Sequence, residues 1–312
     1  MSGADGDERA EFLRDALAGL SGRPKTLPGK YLWDETGSDL FDRICSHPDY
    51  YPTRREMTLL PRVAREVAAL AGPRVSVVEF GSGASRKIRT LLDALDAPAA
   101  YVALDISKAY LEAAVARLAP DYPGVAMTPV CADYSKPVRL PRGAAPLPLL
   151  GFFPGTTIGN FVPEQARDFL ERARETLGPS HFLIGADPTR DAARLGRAYG
   201  AAGGLMGDFH LNLIERMNRE LDSDFDRTNF RHEARLCDAP FRVEAHLVAG
   251  ASARYRLGGQ TIAFEAGESI RTDTSHKYAP EAFQALAAAA GWEPVRLWVD
   301  DDSGFSLHLL KA

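Results

Sequence analysis

The stretch V-R-L-W-V-D-D-D-S-G-F-S-L-H-L-L-K-A, residues 295–312, decides the fold class. Two apolar runs flank D-D-S-G at 301–304, a link too short for the helical crossover that joins parallel strands. The last strand therefore runs antiparallel to the one before it. Upstream the pattern is different. V-S-V-V-E-F (75–80), Y-V-A-L-D (101–105), V-A-M-T-P-V-C (125–131), L-L-G-F-F (149–153) and H-F-L-I-G-A-D (181–187) are continuous apolar strands. Between them, helices are predicted over 86–96, 108–118 and 163–177. Such alternation means a parallel sheet covered on both faces.

Seven strands with one reversed give an α/β class: a Rossmann-like sheet of the class I methyltransferase kind. The rest of the chain has another character. Residues 195–221 read as helical, and 241–272 carry short antiparallel-type strands with Gly-rich turns. A helix, A-P-E-A-F-Q-A-L-A-A-A-A-G (279–291), leads back to the terminal hairpin.

With 312 residues, 45% hydrophobic and 25% charged, the composition is that of a globular protein. A net charge of -5 offers nothing to nucleic acid or an anionic membrane. The N-terminal residues M-S-G-A-D-G-D-E-R-A are acidic and lack an apolar core, so a cytoplasmic location is expected. Cys45, Cys131 and Cys237 are far apart with no C-x-x-C, which suits a reducing compartment and argues against structural zinc.

The chemistry starts at V-V-E-F-G-S-G-A-S-R-K, residues 77–87. Gly81 and Gly83 permit a tight strand-to-helix turn and close approach of a ligand. Asp105, at the end of the next strand, can take both hydroxyls of a ribose. A dinucleotide fingerprint needs a third glycine where this chain has Arg86, which counts against a nicotinamide-dependent oxidoreductase. Glu79 suits a cation better than a phosphate. S-adenosylmethionine has the ribose, the sulfonium and no phosphate. Asp133 and Tyr134 fit an acid and an aromatic face for the adenine. The plain alternative is that the glycines only turn the chain and Asp105 caps the helix that starts near Ser107.

Seven stretches go further: P-K-T-L-P-G-K-Y-L-W-D-E-T-G-S-D-L-F-D (24–42), P-D-Y-Y-P-T-R-R-E (48–56), E-F-G-S-G-A-S-R-K (79–87), G-T-T-I-G-N-F (155–161), R-A-Y (197–199), N-R-E-L-D-S-D-F-D (218–226) and T-D-T-S-H-K-Y (272–278). Across nearly its whole length the chain resembles the S-adenosylmethionine-dependent histidine Nα-methyltransferases of ergothioneine biosynthesis. The resemblance implies a methyltransferase core over 56–194 and 278–312, with a discontinuous substrate-binding domain over 1–55 and 195–277. It implies cofactor contacts at Gly81, Lys87, Asp105, Asp133 and Tyr134, and substrate contacts at Tyr50, Asn160, Tyr199, Asp273 and Ser275. The expected reaction is methylation of the α-amine of a free amino acid, up to three times, most simply histidine to hercynine. The expected assembly is a monomer acting on a small molecule.

The residue types suit that chemistry. Methyl transfer needs a neutral amine held in line with the sulfonium carbon, so the enzyme supplies position and desolvation. Asn160 can address both amine and carboxylate, and with Tyr199 is the expected catalytic pair. Trp33 and Phe41 offer aromatic faces to a growing positive charge. Three positions depart from the family's usual residues: Trp33 stands for Tyr, Ala245 for Met and Asp273 for Glu. All three belong to the expected amino acid pocket, which keeps tryptophan or tyrosine open as the substrate.

Other patterns are weaker. Asp222, Asp224, Asp226 and Glu233 imitate a calcium loop, but Arg227 stands where glycine is needed, and the stretch reads as a helix end with a solvated acidic face. Cys45 and His47 have no third ligand. No metal site is expected. His276 reads as a loop residue, with a base as the alternative.

Overall fold

A computed structural model of the chain describes residues 3–83, 86–146, 148–201, 204–302 and 304–312. Ala84 and Ser85 of the glycine turn, and Ser303 of the terminal turn, lie outside them. In chain order the elements are α1 (Gly3–Ser21), β1 (Lys25–Thr26), α2 (Glu35–Ser46), α3 (Tyr51–Ala71), β2 (Ser76–Phe80), α4 (Arg86–Ala94), β3 (Ala100–Asp105), α5 (Lys108–Leu118), β4 (Ala126–Cys131), β5 (Leu149–Phe153), α6 (Pro163–Leu177) and β6 (Ser180–Ala186). There follow α7 (Ala192–Leu195), α8 (Leu205–Leu221), β7 (Phe230–Asp238), β8 (Phe241–Ala249), β9 (Ala253–Leu257), β10 (Gln260–Phe264), β11 (Ser269–His276), α9 (Pro280–Ala289), β12 (Glu293–Val299) and β13 (Ser306–Lys311). The chain separates into two compact units, a first over 1–50 and 191–274 and a second over 51–190 and 275–312.

The second unit holds a seven-stranded sheet in the order β12-β13-β6-β5-β2-β3-β4. β2 to β6 pair in parallel, and β13 runs antiparallel to both β6 and β12. The hairpin read from the sequence is therefore present. Its turn is held by the Asp300 carboxylate, which accepts the backbone N–H groups of Gly304 at 2.6 Å and Phe305 at 2.7 Å. Strand periodicity sorts the apolar residues onto two faces. Val77, Tyr101, Ala103, Leu150, Phe152, Leu183 and Leu307 pack with Leu60, Val63 and Val67 of α3 and with Ile88 of α4. Val78, Val102, Leu104, Phe153, Phe182 and Ile184 pack on the other face with Phe169 of α6 and Phe283 of α9. Each fully buried Leu or Phe contributes roughly 1.5–3 kcal/mol, so the two faces fix which strand neighbours which.

The order reverses at β2, whose neighbours are β3 on one side and β5 on the other. Ligands of such sheets bind outside the carboxyl ends of the strands at this switch point. The turns after β2 and β5 flank it.

In the first unit β1, β11, β8 and β7 form a four-stranded sheet, with β1 parallel to β11 and β7 antiparallel to β8, while β9 and β10 form a separate hairpin. Two expectations are corrected here. The helical stretch at 195–221 is interrupted: α7 runs into a π-helical turn at Gly196–Ala201, and α8 starts afresh after Gly204, whose φ of +86° suits glycine. The stretch at 222–233 does start at a helix end, with Asp222 closing α8 at φ +52°, but it is not one acidic face, because Glu233 lies on β7, which begins at Phe230. β7 was hidden by its charges. Glu233 sits between Arg231 at 2.9 Å and Arg235 at 2.7 Å along one face of the strand, which mimics a solvated helix.

Candidate active site

At the switch point the β2 turn is closed by backbone bonds from Gly81 and Ser82 to the Leu104 carbonyl, at 2.8 and 3.2 Å. Gly81 has φ +72°, and a Cβ there would stand 3.2 Å from the Tyr134 hydroxyl. The position thus needs glycine for its conformation and takes no larger residue without displacing Tyr134. Gly83 has φ +46°.

Asp105 closes the same turn from β3. One carboxylate oxygen accepts the Gly83 N–H at 3.3 Å and the other the Ser107 N–H at 3.0 Å. Burial raises its pKa and these N–H groups pull it back. A carboxylate oxygen has two lone pairs, so this local role leaves acceptor capacity for a ribose.

Tyr134 packs edge-on against Phe80, Phe153 and Phe169 at centroid distances of 6.4, 5.8 and 6.0 Å. Burial, with the charges of Asp105 and Asp133, raises its pKa and keeps the phenol neutral. Asp133 turns to Ser135, accepting its N–H at 3.0 Å and its hydroxyl at 2.5 Å.

Glu79 is buried inside β2 and accepts the Tyr101 hydroxyl at 2.5 Å. Burial pushes its pKa up to about 8, against the Tyr101 bond and the Lys87 charge. Burial thus favours the protonated acid, and a positive charge nearby, such as that of Lys87, favours the carboxylate.

Lys87, in the first turn of α4, reaches back to Glu56 of α3 at 2.7 Å. Both oxygens of Glu56 also accept the Gly155 N–H, at 2.9 and 3.0 Å. Glu56 thus ties the helix after the β2 turn to the loop after β5. That loop ends in the short turn Thr157–Asn160, which carries Asn160. Gly159 is required in it, since a Cβ would lie 2.6 Å from the His276 carbonyl oxygen. The His276 Nδ1 in turn lies 3.0 Å from the Gly159 carbonyl oxygen. His276 is therefore neither a loop residue nor an exposed base: it ends β11, is buried, and braces the turn that holds Asn160.

Ser275, also buried, accepts a hydrogen bond from the Lys277 ammonium at 2.9 Å. Lys277 pairs with Asp187, just after β6, at 2.7 Å with both side chains fully buried.

The remaining expected substrate residues belong to the first unit. Trp33, Phe41, Tyr50 and Tyr199 form a chain of ring contacts: Trp33 to Phe41 at 4.9 Å, Phe41 to Tyr50 at 5.9 Å and Tyr50 to Tyr199 at 6.0 Å. Phe209 of α8 joins it, 5.4 Å from Trp33 and 5.7 Å from Phe41. Tyr199 lies in the π-helical turn, a distortion frequent at functional positions. Asp273 sits beside Gly29, where a Cβ would come within 3.1 Å of its carboxylate. Ala245 lies on β8 opposite Ala234 of β7.

Sequence reading missed Glu56, Phe209, Asp187 and Lys277. Glu56 had left a signal: it occupies the apolar face of α3 that continues through Leu59, Leu60 and Val63, where an unpaired charge would be costly. Of the calcium-like acids, Asp222 pairs with Arg9, Asp224 with Arg256 and Glu233 with Arg231 and Arg235. Asp226 caps the Arg227–Asn229 turn.

Among the described residues no helix is long and apolar enough to cross a membrane. A Thermobifida fusca YX protein of solved structure, provisionally assigned to the methyltransferases, is 16% identical with a TM-score of 0.50 over 96% of this chain and 93% of that one. The histidine N-alpha-methyltransferase of Mycobacterium tuberculosis (strain CDC 1551 / Oshkosh) is 40% identical over 303 residues, 95% of this chain and 93% of its own. That of Mycolicibacterium smegmatis is 38% identical, covering 97% and 96%. The model of the S-adenosylmethionine-dependent, histidine-specific methyltransferases matches residues 12–312, and the chain belongs to that family.

Proposed function

We propose that this methyltransferase transfers methyl groups from S-adenosylmethionine to the α-amine of free L-histidine, up to three times, giving hercynine. The observation that carries the reading is the assembly of two glycines, an acid and an aromatic at the switch point, Gly81, Gly83, Asp105 and Tyr134, within a family whose mycobacterial relatives are named for histidine. In this reading Asp105 takes the ribose hydroxyls, Asp133 and Tyr134 the adenine, and Lys87 the cofactor carboxylate. S-adenosylmethionine supplies the electrophilic methyl group. Asn160 holds the amine and carboxylate of the amino acid, and Tyr50 and Tyr199 orient them. The rings of Trp33 and Phe41, with Phe209 behind them, tolerate the positive charge that grows with each methyl group. Asp273 accepts the imidazole N–H and Ser275 completes the ring's hydrogen bonding.

A second reading is favoured by the indole at position 33 and the small Ala245: the same reaction on a larger aromatic amino acid. The test is mass spectrometry of a pool of free amino acids incubated with the protein and S-adenosylmethionine. Mono-, di- and trimethylated histidine support the first reading. Methylated tryptophan or tyrosine in excess of histidine supports the second.

A further inference from the structure

Lys277 and Asp187 form an ion pair in which neither side chain reaches solvent, with Nζ to Oδ2 at 2.7 Å. The Asp187 carboxylate is over-determined: the Tyr51 hydroxyl donates to Oδ2, and the Thr189 N–H to Oδ1 at 2.9 Å. The Tyr278 N–H bonds the Asp187 carbonyl oxygen at 2.9 Å, which fixes the backbone between the two charges. Removing two charges from water is expensive, and apolar residues of similar volume would serve stability as well. The pair is more than the fold needs, so the question is what else the ammonium does.

It also donates to the Ser275 Oγ, at 2.9 Å. This bond has one direction only, because an ammonium has three donors and no lone pair. Charge drawn from Oγ weakens the hydroxyl as an acceptor and strengthens it as a donor. We infer that Lys277, held by Asp187, is a positioning residue that sets Ser275 as a hydrogen-bond donor, so that the substrate group it meets is a ring nitrogen with a lone pair. The inference rests on the proposal above that Ser275 contacts the substrate. A neutral imidazole carries one such nitrogen beside its N–H. An indole has an N–H and no second ring nitrogen, and a phenol has no ring nitrogen.

The test uses the full chain with histidine and with the two pyrrolylalanines, each of which keeps one ring N–H and carries C–H in place of the other nitrogen. For the unaltered protein the pyrrolylalanines should show a KM about tenfold or more above histidine, since a site built to hydrogen-bond a group rejects the analogue lacking it. In Ser275→Ala the ratio should fall to about threefold or less, because the two deletions remove the same bond. In Lys277→Met it should fall toward the Ser275→Ala value, with affinity for S-adenosylhomocysteine unchanged. Lys277→Met strands a buried carboxylate, so the double variant Asp187→Asn with Lys277→Met, which removes both charges, is the second arm and should show the same loss of discrimination.

A folded double variant that keeps the full ratio overturns the inference, as does loss of folding in both Lys277 variants, which would make the pair purely structural. Equal use of histidine and the pyrrolylalanines by the unaltered protein also overturns it, while leaving histidine methylation standing. No methylation of histidine at all defeats the underlying proposal, and with it this inference.

Discussion

Glu56 holds the Lys87 ammonium at 2.7 Å while both its oxygens accept the Gly155 N–H, so one buried carboxylate positions the helix after the glycine turn and the loop that leads to Asn160. In Glu56→Gln one oxygen still accepts from Gly155, but the amide N–H₂ faces a cation and Lys87 must move. Affinity for S-adenosylhomocysteine should fall by about 1.5–3 kcal/mol, the range for a hydrogen bond to a charged group. Methylthioadenosine, which lacks the amino acid half that Lys87 is proposed to hold, should bind as before. Calorimetry with both ligands checks this, and equal losses would remove Lys87 from the carboxylate.

Asp105 has both a local role, on Gly83 and Ser107, and a proposed one on the ribose. Asp105→Asn separates them, since its amide oxygen can still accept the Ser107 N–H. Affinity for both S-adenosylhomocysteine and methylthioadenosine should fall by about 2 kcal/mol, because charge-assisted bonds to the hydroxyls are lost. An Asn variant that binds like the original would mean that Asp105 only fixes the turn.

Glu79 makes stability depend on pH. Its folded pKa, about 8, lies above the ordinary carboxylate value of 4.5. Between those two values the unfolded chain loses this proton and the folded one keeps it, so the contribution of Glu79 falls as pH rises through that window. Glu79→Gln removes the titration. The melting temperature of the variant relative to the original should therefore rise from pH 5 to pH 8, measured without ligand. A difference independent of pH would show that Glu79 is ionised in the folded protein.

Asp273 is the acid proposed to accept the imidazole N–H. Asp273→Ala should raise the histidine KM by roughly tenfold to a hundredfold, the ~1.5–3 kcal/mol of a hydrogen bond to a charged group, with cofactor affinity unchanged. Asp273→Glu should retain activity. Steady-state kinetics that show no change in KM for the Ala variant would place the imidazole elsewhere.

The parallel sheet was legible because its strands are mostly apolar and its helices amphipathic; α5 and α6 fall at the residues periodicity assigns, and the terminal turn fixes the direction of β13. The glycine turn and Asp105 were legible for the same reason, since strand ends locate themselves. β7 was not, because its stability comes from pairing all nine residues with β8 while its own sequence is mostly charged and polar. The π-helical turn and the fresh start of α8 after Gly204 were missed because apolar periodicity on either side of 196–204 looks continuous. Glu56, Asp187 and Lys277 escaped for another reason: each acts through a partner 31 to 99 residues away, Lys87 and Gly155 for Glu56 and one another for the pair, and local spacing, which on α3 marks Glu56 as needing a partner, does not say which.

The central claim is methylation of the α-amine of histidine, and the most direct measurement is nuclear magnetic resonance of the product made from histidine and S-adenosylmethionine labelled with carbon-13 in the methyl group. The account predicts a single labelled resonance of three equivalent methyl groups on the α-nitrogen at the end of the reaction. Label on a ring nitrogen, or no label on histidine while another amino acid in the same tube becomes methylated, would contradict it.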